Sequence, residues 1–131
     1  MKIDHIAIWT NDLEAVKDFY LKYFNCTAND KYENPEKQFS SYFLSFSSGS
    51  RIELMNQENI MAERNNNVIG ISHVAINVGS KKDVDALTNR LENDGFVIES
   101  YPRTTGDGYY ESVILDLEDN RIEIVSNKEY Y

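Results

Sequence analysis

The sequence of 131 residues is short of several features that would mark a particular class of protein. It has one cysteine, Cys26, so no disulfide can form within the chain, and we expect a reducing cytoplasm. Lysine and arginine number 13 against 22 acidic residues, and the formal net charge is −9. Because nucleic acids and anionic membrane surfaces are bound by basic patches, we expect neither as a partner. Small anionic ligands are not excluded, since an acidic chain can carry a cationic pocket.

Long apolar runs are also missing. No stretch of about 18 apolar residues occurs, so we expect no transmembrane helix. The opening, MKIDHIAIWT, enters a strand-like pattern at once, and we expect no signal peptide. Hydrophobic residues make up 41% and charged residues 27%, which is typical of a soluble globular protein. The length suits one compact domain, 1–131.

Histidine occurs only twice, and both copies lie in similar octapeptides. His5 lies in IDHIAIWT, and His73 lies in ISHVAINV, 68 residues later. A second pair of segments also matches, because SRIELM and NRIEIV place Glu53 and Glu123 70 residues apart. We interpret the chain as two copies of one supersecondary unit. Two copies are too few for a solenoid, so we expect a paired, pseudo-twofold domain.

Each copy has the same predicted order of elements, βαβββ. The first module covers about 1–56 and the second about 70–131, and a polar linker covers 57–69. Alternating apolar residues predict the strands, and apolar spacings of three and four predict one helix in each module. The predicted strands are 2–9, 27–32, 39–47 and 51–55, then 71–78, 96–101, 110–117 and 121–126. The predicted fold class is therefore α+β.

Local signals predict where the helices begin and end. Asn11 followed by Glu14 matches the capping box that starts many helices. Ser80 is the expected cap of the second helix, and Gly95 is its expected stop.

Strand alternation places four polar side chains on the sheet faces opposite the predicted helices. Alternate residues of a strand share a face, and the apolar ones can pack under the helices. This leaves His5, Glu53, His73 and Glu123 on the opposite faces. Two imidazoles and two carboxylates are suitable ligands for a divalent transition metal. A single strand histidine or glutamate is more often structural or solvated, but matched positions in both copies favour a shared site.

Two segments, DHIAIWTNDLEAVKDFY and DLEDNRIEIV, resemble the vicinal oxygen chelate superfamily, which includes glyoxalase I, bleomycin-resistance proteins, extradiol dioxygenases, methylmalonyl-CoA epimerase and fosfomycin-resistance proteins. DHIAIWTNDLEAVKDFY is similar to the family's opening strand and helix, and DLEDNRIEIV resembles its closing turn and strand. That closing signature is usually Asp-Pro-Asp-Gly-Asn-x-Ile-Glu, and Leu117 and Asp119 replace its Pro and Gly here. The resemblance covers nearly the whole chain. It implies paired βαβββ modules whose mixed sheets form a curved cup around one metal.

The resemblance also implies an activity. His5, Glu53, His73 and Glu123 match the ligand positions of glyoxalase I-like members. The implied cofactor is one divalent ion (Zn, Ni, Co, Mn or Fe). The implied enzyme is a lyase or isomerase acting on an α-hydroxycarbonyl compound or a hemithioacetal through a metal-bound enediolate. Glu123 is the implied base, and Glu53 is interchangeable with it. A homodimer is expected, because relatives often dimerise and sheet edges invite pairing. The site can lie within one chain or across that dimer.

Five further residues are weaker candidates for substrate binding. Glutathione-dependent glyoxalases commonly have an arginine four residues after the first ligand, where this chain has Trp9. A large aromatic there favours an apolar or ring-bearing substrate or another thiol, although it could simply line the cup. Arg51 and Arg121 precede the two glutamates and could meet an anionic substrate or form salt bridges. Tyr101 and Arg103 lie in a glycine-bearing segment that could cover the cup.

Two other functions stay open from the sequence. An iron(II) ring-cleavage dioxygenase needs open coordination positions, and the fourth protein ligand argues against it. A non-catalytic small-molecule-binding or resistance protein usually lacks the ligand set. Metal content and a proton-exchange assay would separate the three functions.

Overall fold

The computed structural model describes residues 1–61 and 69–128. Its elements in chain order are β1 (Ile6–Trp9), α1 (Leu13–Tyr23), β2 (Thr27–Ala28), β3 (Tyr32–Asn34), β4 (Phe39–Ser45), β5 (Arg51–Gln57), β6 (Val74–Gly79), α2 (Lys81–Asn93), β7 (Ile98–Thr104), β8 (Tyr110–Leu115) and β9 (Arg121–Ser126). The predicted α+β class is confirmed. Neither helix in the described ranges is long and apolar enough to cross a membrane.

The chain divides into two compact units, Met1–Glu63 and Arg64–Tyr131, called the first and the second unit below. The predicted linker, 57–69, starts inside β5, which extends to Gln57. Its stretch 62–68 lies outside the described residues.

The first unit contains a mixed five-stranded sheet. The strand order is β1-β5-β4-β2, and β3 also pairs with β4. β1 runs parallel to β5, and the other pairs are antiparallel. The single strand predicted at 27–32 is wrong, because β2 and β3 are separate short strands. Between them the side chain of Asn29 accepts the backbone N–H of Phe43 at 2.7 Å, which interrupts the backbone ladder.

Helix α1 packs an aromatic-rich side on this sheet. Its buried residues are Leu13, Val16, Phe19, Tyr20 and Tyr23, and the sheet contributes Tyr42, Leu44, Ile52 and Leu54. The predicted cap at Asn11 is wrong by one residue. Asp12 is the N-cap, because its Oδ1 accepts the N–H of Ala15 at 3.1 Å. Glu14 instead accepts hydrogen bonds from Lys17 and from the Tyr42 hydroxyl of β4.

The second unit contains a four-stranded mixed sheet in the order β6-β9-β8-β7. β6 is parallel to β9, and the other pairs are antiparallel. The core between α2 and this sheet is aliphatic and includes Val84, Leu91, Ile114, Ile122 and Ile124. The predicted cap at Ser80 is confirmed, with a complete capping box through Asp83. The predicted stop is also confirmed, because the helix ends beside Gly95, whose φ of +90° favours glycine.

Both leading strands begin later than predicted. β1 starts at Ile6 rather than residue 2, and β6 starts at Val74 rather than residue 71. Their parallel partners begin at Arg51 and Arg121, so the preceding residues have almost no strand to pair with. As a result each histidine lies immediately before its strand. The last strand, 121–126, has the predicted bounds.

Candidate functional site

The candidate residues lie on the face of each sheet that carries no helix, called the helix-free face. In both units the buried aliphatic residues of the last strand face the helix. The residues that alternate with them along the strand therefore project from the other face of the sheet. The helix-free face of the first unit includes Trp9, Phe39, Ser41, Phe43, Glu53 and Met55. That of the second unit includes Asn77, Glu111, Val113, Glu123 and Val125.

The first unit brings His5 and Glu53 together. The distance from His5 Nε2 to Glu53 Oε2 is 3.4 Å, and their side chains are 34% and 16% exposed. His5 Nδ1 faces Asp4 Oδ2 at 2.8 Å, and the imidazole edge packs on the ring of Phe43. His5 and Arg51 hold the pKa of the Asp4 carboxyl below its ordinary value. An ionised carboxylate at Nδ1 favours the tautomer whose lone pair is on Nε2, which is the nitrogen beside Glu53.

The second unit repeats this arrangement with His73 and Glu123. The distance from His73 Nε2 to Glu123 Oε2 is 3.2 Å, and the side chains are 40% and 18% exposed. His73 Nδ1 lies 3.2 Å from the Ser72 hydroxyl. A neutral hydroxyl therefore takes the place that Asp4 has in the first unit.

Both pairs have the spacing of two ligands of one metal ion. Two ligand atoms about 2.0–2.2 Å from a common ion, at angles between square and tetrahedral, lie about 2.9–3.5 Å apart. The measured separations, 3.4 Å for His5–Glu53 and 3.2 Å for His73–Glu123, fall in that range. Within 1–61 and 69–128 no three His, Cys, Asp or Glu residues are grouped so as to hold an ion. Since zinc-type sites use three or four protein ligands, neither pair is a complete site alone.

Glu111 is a candidate that the sequence analysis missed. It lies opposite Val125 on the face that carries Glu123, and it is only 8% exposed. Burial raises the pKa of its carboxyl, and the charge of Glu123 raises it further, while Arg103 opposes the shift. Arg103 Nη2 lies 3.6 Å from Glu111 Oε1. Alternation along β8 could have revealed Glu111, but it has no acidic counterpart in the other copy.

All three arginines predicted to bind substrate form ion pairs, and Arg51 and Arg121 do so through hydrogen bonds. Arg51 Nη2 donates to Asp4 Oδ2, and its guanidinium carbon lies 4.6 Å from the centre of the Phe43 ring. Arg121 Nε donates to Glu99 Oε1 at 2.8 Å. The charges of both are thus balanced by neighbouring carboxylates. Contact with substrate stays a prediction for these residues and for Arg103.

The two predicted aromatic residues have different surroundings. Trp9 lies on the helix-free face, is 45% exposed, and contacts Phe39 edge to face. Tyr101 donates its hydroxyl hydrogen to Glu92 of α2, so this hydroxyl reaches the helix. Trp9 is therefore on the same face of the first sheet as Glu53. The hydroxyl of Tyr101, in contrast, points to the helix and not to the helix-free face of the second sheet. Their contacts with substrate stay predictions.

Comparison with models of protein families identifies one family. The model of the Glyoxalase/Bleomycin resistance protein/Dioxygenase superfamily matches residues 2–124. No match was found among curated proteins. A glyoxylase/bleomycin resistance protein/dioxygenase domain from Frankia sp. EAN1pec is 16% identical with a TM-score of 0.83, over 97% of this chain and 98% of that chain.

Two further solved structures are similar. Glyoxalase I from Zea mays is 20% identical with a TM-score of 0.80, over 98% of this chain and 45% of that chain, so this chain spans less than half of the maize protein. A possible glyoxalase from Bacillus cereus is 24% identical with a TM-score of 0.72, over 95% of this chain and 98% of that chain. At these identities the structures show a shared fold, and the predicted glyoxalase/vicinal oxygen chelate fold is confirmed. With nearly the whole chain matched, the protein belongs to the Glyoxalase/Bleomycin resistance protein/Dioxygenase superfamily.

Proposed function

We propose that the chain is a metal-dependent lyase or isomerase, similar to glyoxalase I, that acts on an α-hydroxycarbonyl compound or a hemithioacetal. The observation that carries this proposal is the repeated histidine–glutamate pair with metal-ligand spacing, 3.4 Å in the first unit and 3.2 Å in the second. Membership of the superfamily supports it, because the superfamily includes enzymes such as glyoxalase I.

We infer that His5, Glu53, His73 and Glu123 are ligands of one divalent ion, such as Zn, Ni, Co, Mn or Fe. Mixed nitrogen and oxygen ligands suit these metals. The ion would supply a Lewis acid that stabilises negative charge on two neighbouring substrate oxygens. Asp4 would orient the imidazole of His5 through its Nδ1 atom.

The proposed catalytic base is Glu123. Its carboxylate would take a proton from a substrate carbon and return it to the neighbouring carbon. The side chain is 18% exposed, and its cross-strand neighbour on β8 is Val113. An apolar neighbour limits the access of water to the carboxylate. Glu53, beside Phe43 on β4, is the interchangeable candidate.

Metal analysis tests the ligand set. Purified protein should retain about one divalent ion for each set of four ligands, measured by elemental analysis after dialysis. His73→Ala should lose high-affinity binding while circular dichroism shows an unchanged fold. The matched control is Ser72→Ala, which removes only a partner of the imidazole and should weaken binding by about 10–100-fold at most. Stoichiometric metal in the double variant His5→Ala/His73→Ala would contradict the site.

Proton exchange tests the reaction. The metal-loaded protein should exchange or move the α-proton of a thiol hemithioacetal or a 2-hydroxy ketone, followed by NMR in deuterated water. Because Trp9 stands where glutathione-dependent glyoxalases commonly have an arginine, we expect poor activity with the glutathione adduct. If no compound of such a panel exchanges with any divalent metal, the isomerase proposal fails. Oxygen uptake with iron(II) and catechols would then test the ring-cleavage dioxygenase.

We further propose that the protein is a cytoplasmic homodimer that binds a small-molecule substrate, with neither nucleic acid nor membrane as a partner. β1 and β6 each lie at the edge of a sheet, and edge strands invite pairing with another chain. Light scattering at micromolar concentration should give twice the chain mass of 15.2 kDa. A monomer under these conditions would refute the dimer.

A further inference from the structure

Three aromatic side chains form a connected set on the helix-free face of the first unit. Trp9 and Phe39 lie edge to face with ring centres 6.3 Å apart, and Phe39 and Tyr32 have ring centres 6.1 Å apart. Trp9 is 45% exposed and Tyr32 is 53% exposed. Trp9, Phe39 and Tyr32 are called the aromatic row below. Exposed rings that contact one another offer faces and edges on which the ring of a ligand can pack.

The strand register places two members of the aromatic row, Trp9 and Tyr32, on the line of side chains next to Glu53, and Phe39, which is opposite Gln57, lies one line farther away. Trp9 is opposite Met55, which is opposite Ser41, which is opposite Tyr32. These residues cross four strands in one line on the helix-free face. Glu53 lies two residues before Met55, so its line on the same face is about 7 Å away.

The exposed area fits a small molecule better than a protein. A large aromatic side chain presents about 150–250 Å². At the observed exposures, Trp9 and Tyr32 together offer roughly 200 Å², whereas a stable protein interface uses about 800 Å² from each partner. A surface of that size can contact a planar ring but is too small for a stable protein interface.

We propose that the aromatic row binds the ring of an aryl-substituted substrate while the substrate's oxygens lie beside Glu53. The preferred substrates are then aryl α-hydroxycarbonyl compounds rather than their alkyl counterparts. This inference rests on the proposed function and specifies its substrate class. A ring joined directly to the hydroxycarbonyl carbons has about the length needed to reach from one line of side chains to the next. Each added ring contact should tighten binding by about 2–12-fold.

The chain's single tryptophan, Trp9, provides the readout, because its fluorescence can be excited selectively. The two probes are 2-hydroxyacetophenone and hydroxyacetone, which differ by a phenyl in place of a methyl group. We expect saturable quenching of Trp9 by 2-hydroxyacetophenone, corrected for its absorbance, with at least about tenfold tighter binding than hydroxyacetone shows by ligand-observed NMR.

Variants separate the aromatic row from ordinary surface contacts. Phe39→Leu should weaken binding of 2-hydroxyacetophenone by about 3–10-fold, and Tyr32→Leu should weaken it by a smaller factor. The matched control is Tyr109→Leu in the second unit, an exposed ring that should change nothing. Circular dichroism confirms that each variant is folded. Equal affinity for the two probes, or no effect of either first-unit variant, overturns the proposal.

The proton-exchange assay distinguishes failure of this inference from failure of the proposed function. Tight, variant-sensitive binding of 2-hydroxyacetophenone without any exchange supports the aromatic row and counts against the isomerase. Exchange of hydroxyacetone as efficient as that of 2-hydroxyacetophenone supports the isomerase and overturns the aromatic row. Binding of 2-hydroxyacetophenone that weakens as the protein concentration rises would show that a second copy covers the rings, and it would also overturn the inference.

Discussion

The two units repeat one ligand pair but surround it with different chemistry. In the first unit the line of side chains next to Glu53 is Trp9, Met55, Ser41 and Tyr32. In the second unit the corresponding line next to Glu123 is Asn77, Val125, Glu111 and Arg103. The two aromatic ends of the first line thus correspond to the amide of Asn77 and the guanidinium of Arg103, Ser41 corresponds to Glu111, and both lines keep an apolar residue at the second position. In our proposal, metal ligation accounts for the part that repeats, and substrate recognition accounts for the part that differs.

The helix sides differ in the same way. In the first unit the Tyr42 hydroxyl donates to Glu14 of α1 at 2.9 Å. The equivalent residue of the second unit, Ser112, lies 2.7 Å from the Thr88 hydroxyl of α2, and both are fully buried. A long phenol reaches a half-exposed carboxylate, whereas a short hydroxyl needs a partner inside the core. Equivalent residues of the two units, Tyr42 and Ser112, therefore join helix to sheet by different hydrogen bonds.

The largest expected effect comes from comparing the two glutamates. Glu123→Gln should lower the rate of proton exchange by about 10²–10⁴-fold, because an amide oxygen can contact an ion but the group cannot take a proton. Glu53→Gln should lower it less, since in our proposal it changes a ligand and not the base. Single-turnover exchange measured by NMR on metal-loaded protein gives both numbers.

Metal content is the control for that comparison, because both substitutions alter a proposed ligand. Rates are compared only between samples with equal bound metal. A greater loss of rate for Glu53→Gln would indicate that Glu53, in the first unit, is the base. Equal losses would show that the units are interchangeable in catalysis.

The next largest difference is expected in how much the turns before β5 and β9 contribute to the stability of the fold. In the second unit the buried carboxylate of Asp116 accepts hydrogen bonds from the backbone of Glu118 and from the backbone and side chain of Asn120. Asp116→Ala leaves these donors unpaired and should lower the free energy of unfolding by about 3 kcal/mol. In the first unit the serine-rich turn is exposed, and Ser48→Ala should cost less than about 0.5 kcal/mol. Urea denaturation measures both, and a similar cost for the two would contradict the difference.

Much of the fold was predictable because its signals are local. Apolar alternation predicts the strands, and helical spacing with Ser80 and Gly95 predicts α2. The repeat added a signal that periodicity cannot give, since it selected His5 and His73 for the same role. The structure places each histidine beside a glutamate, with Nε2–Oε2 separations of 3.4 Å and 3.2 Å.

The errors arise where partners in space decide the outcome. Asn29 splits a predicted strand because its side chain replaces a backbone acceptor for Phe43, which the local sequence does not reveal. The leading strands start late because their partner strands begin at Arg51 and Arg121. Glu111 was missed for another reason. The search relied on matched copies, and its counterpart is Ser41.

A moderate effect is expected at Glu14, which accepts hydrogen bonds from Lys17 and Tyr42. These contacts lower the pKa of its carboxyl from 4.5 to about 2. A lowered pKa adds stability that is present above pH 4.5 and is lost as the pH falls toward 2. Because the side chain is half-exposed, we expect Glu14→Gln to cost only about 1 kcal/mol at pH 7. Thermal melts from pH 2 to 7 should show that cost vanish in acid, and the exposed Glu36→Gln is the control variant.

The smallest effect, of opposite sign, is expected at Glu111 in the metal-free protein. Burial raises the pKa of this carboxyl, so the folded state holds its proton more tightly than the unfolded state does. Its charge therefore destabilises the fold increasingly as the pH rises from 4.5 through the higher folded value. Glu111→Gln should match the wild type below pH 4.5 and be neutral to about 1 kcal/mol more stable at pH 7.

Arg103 provides the internal check on that assignment, because its guanidinium partly offsets the buried charge. Arg103→Gln alone should lower stability at pH 7, since it leaves the Glu111 carboxylate without its cation. In the Glu111→Gln background the same change should cost almost nothing, and a double-mutant cycle measured by urea denaturation isolates the difference. Glu14→Gln and Glu111→Gln should thus move stability in opposite directions at pH 7. If both substitutions lower stability by a similar amount, burial of the ionised Glu111 carboxyl does not destabilise the fold. The two units would then not differ at this position.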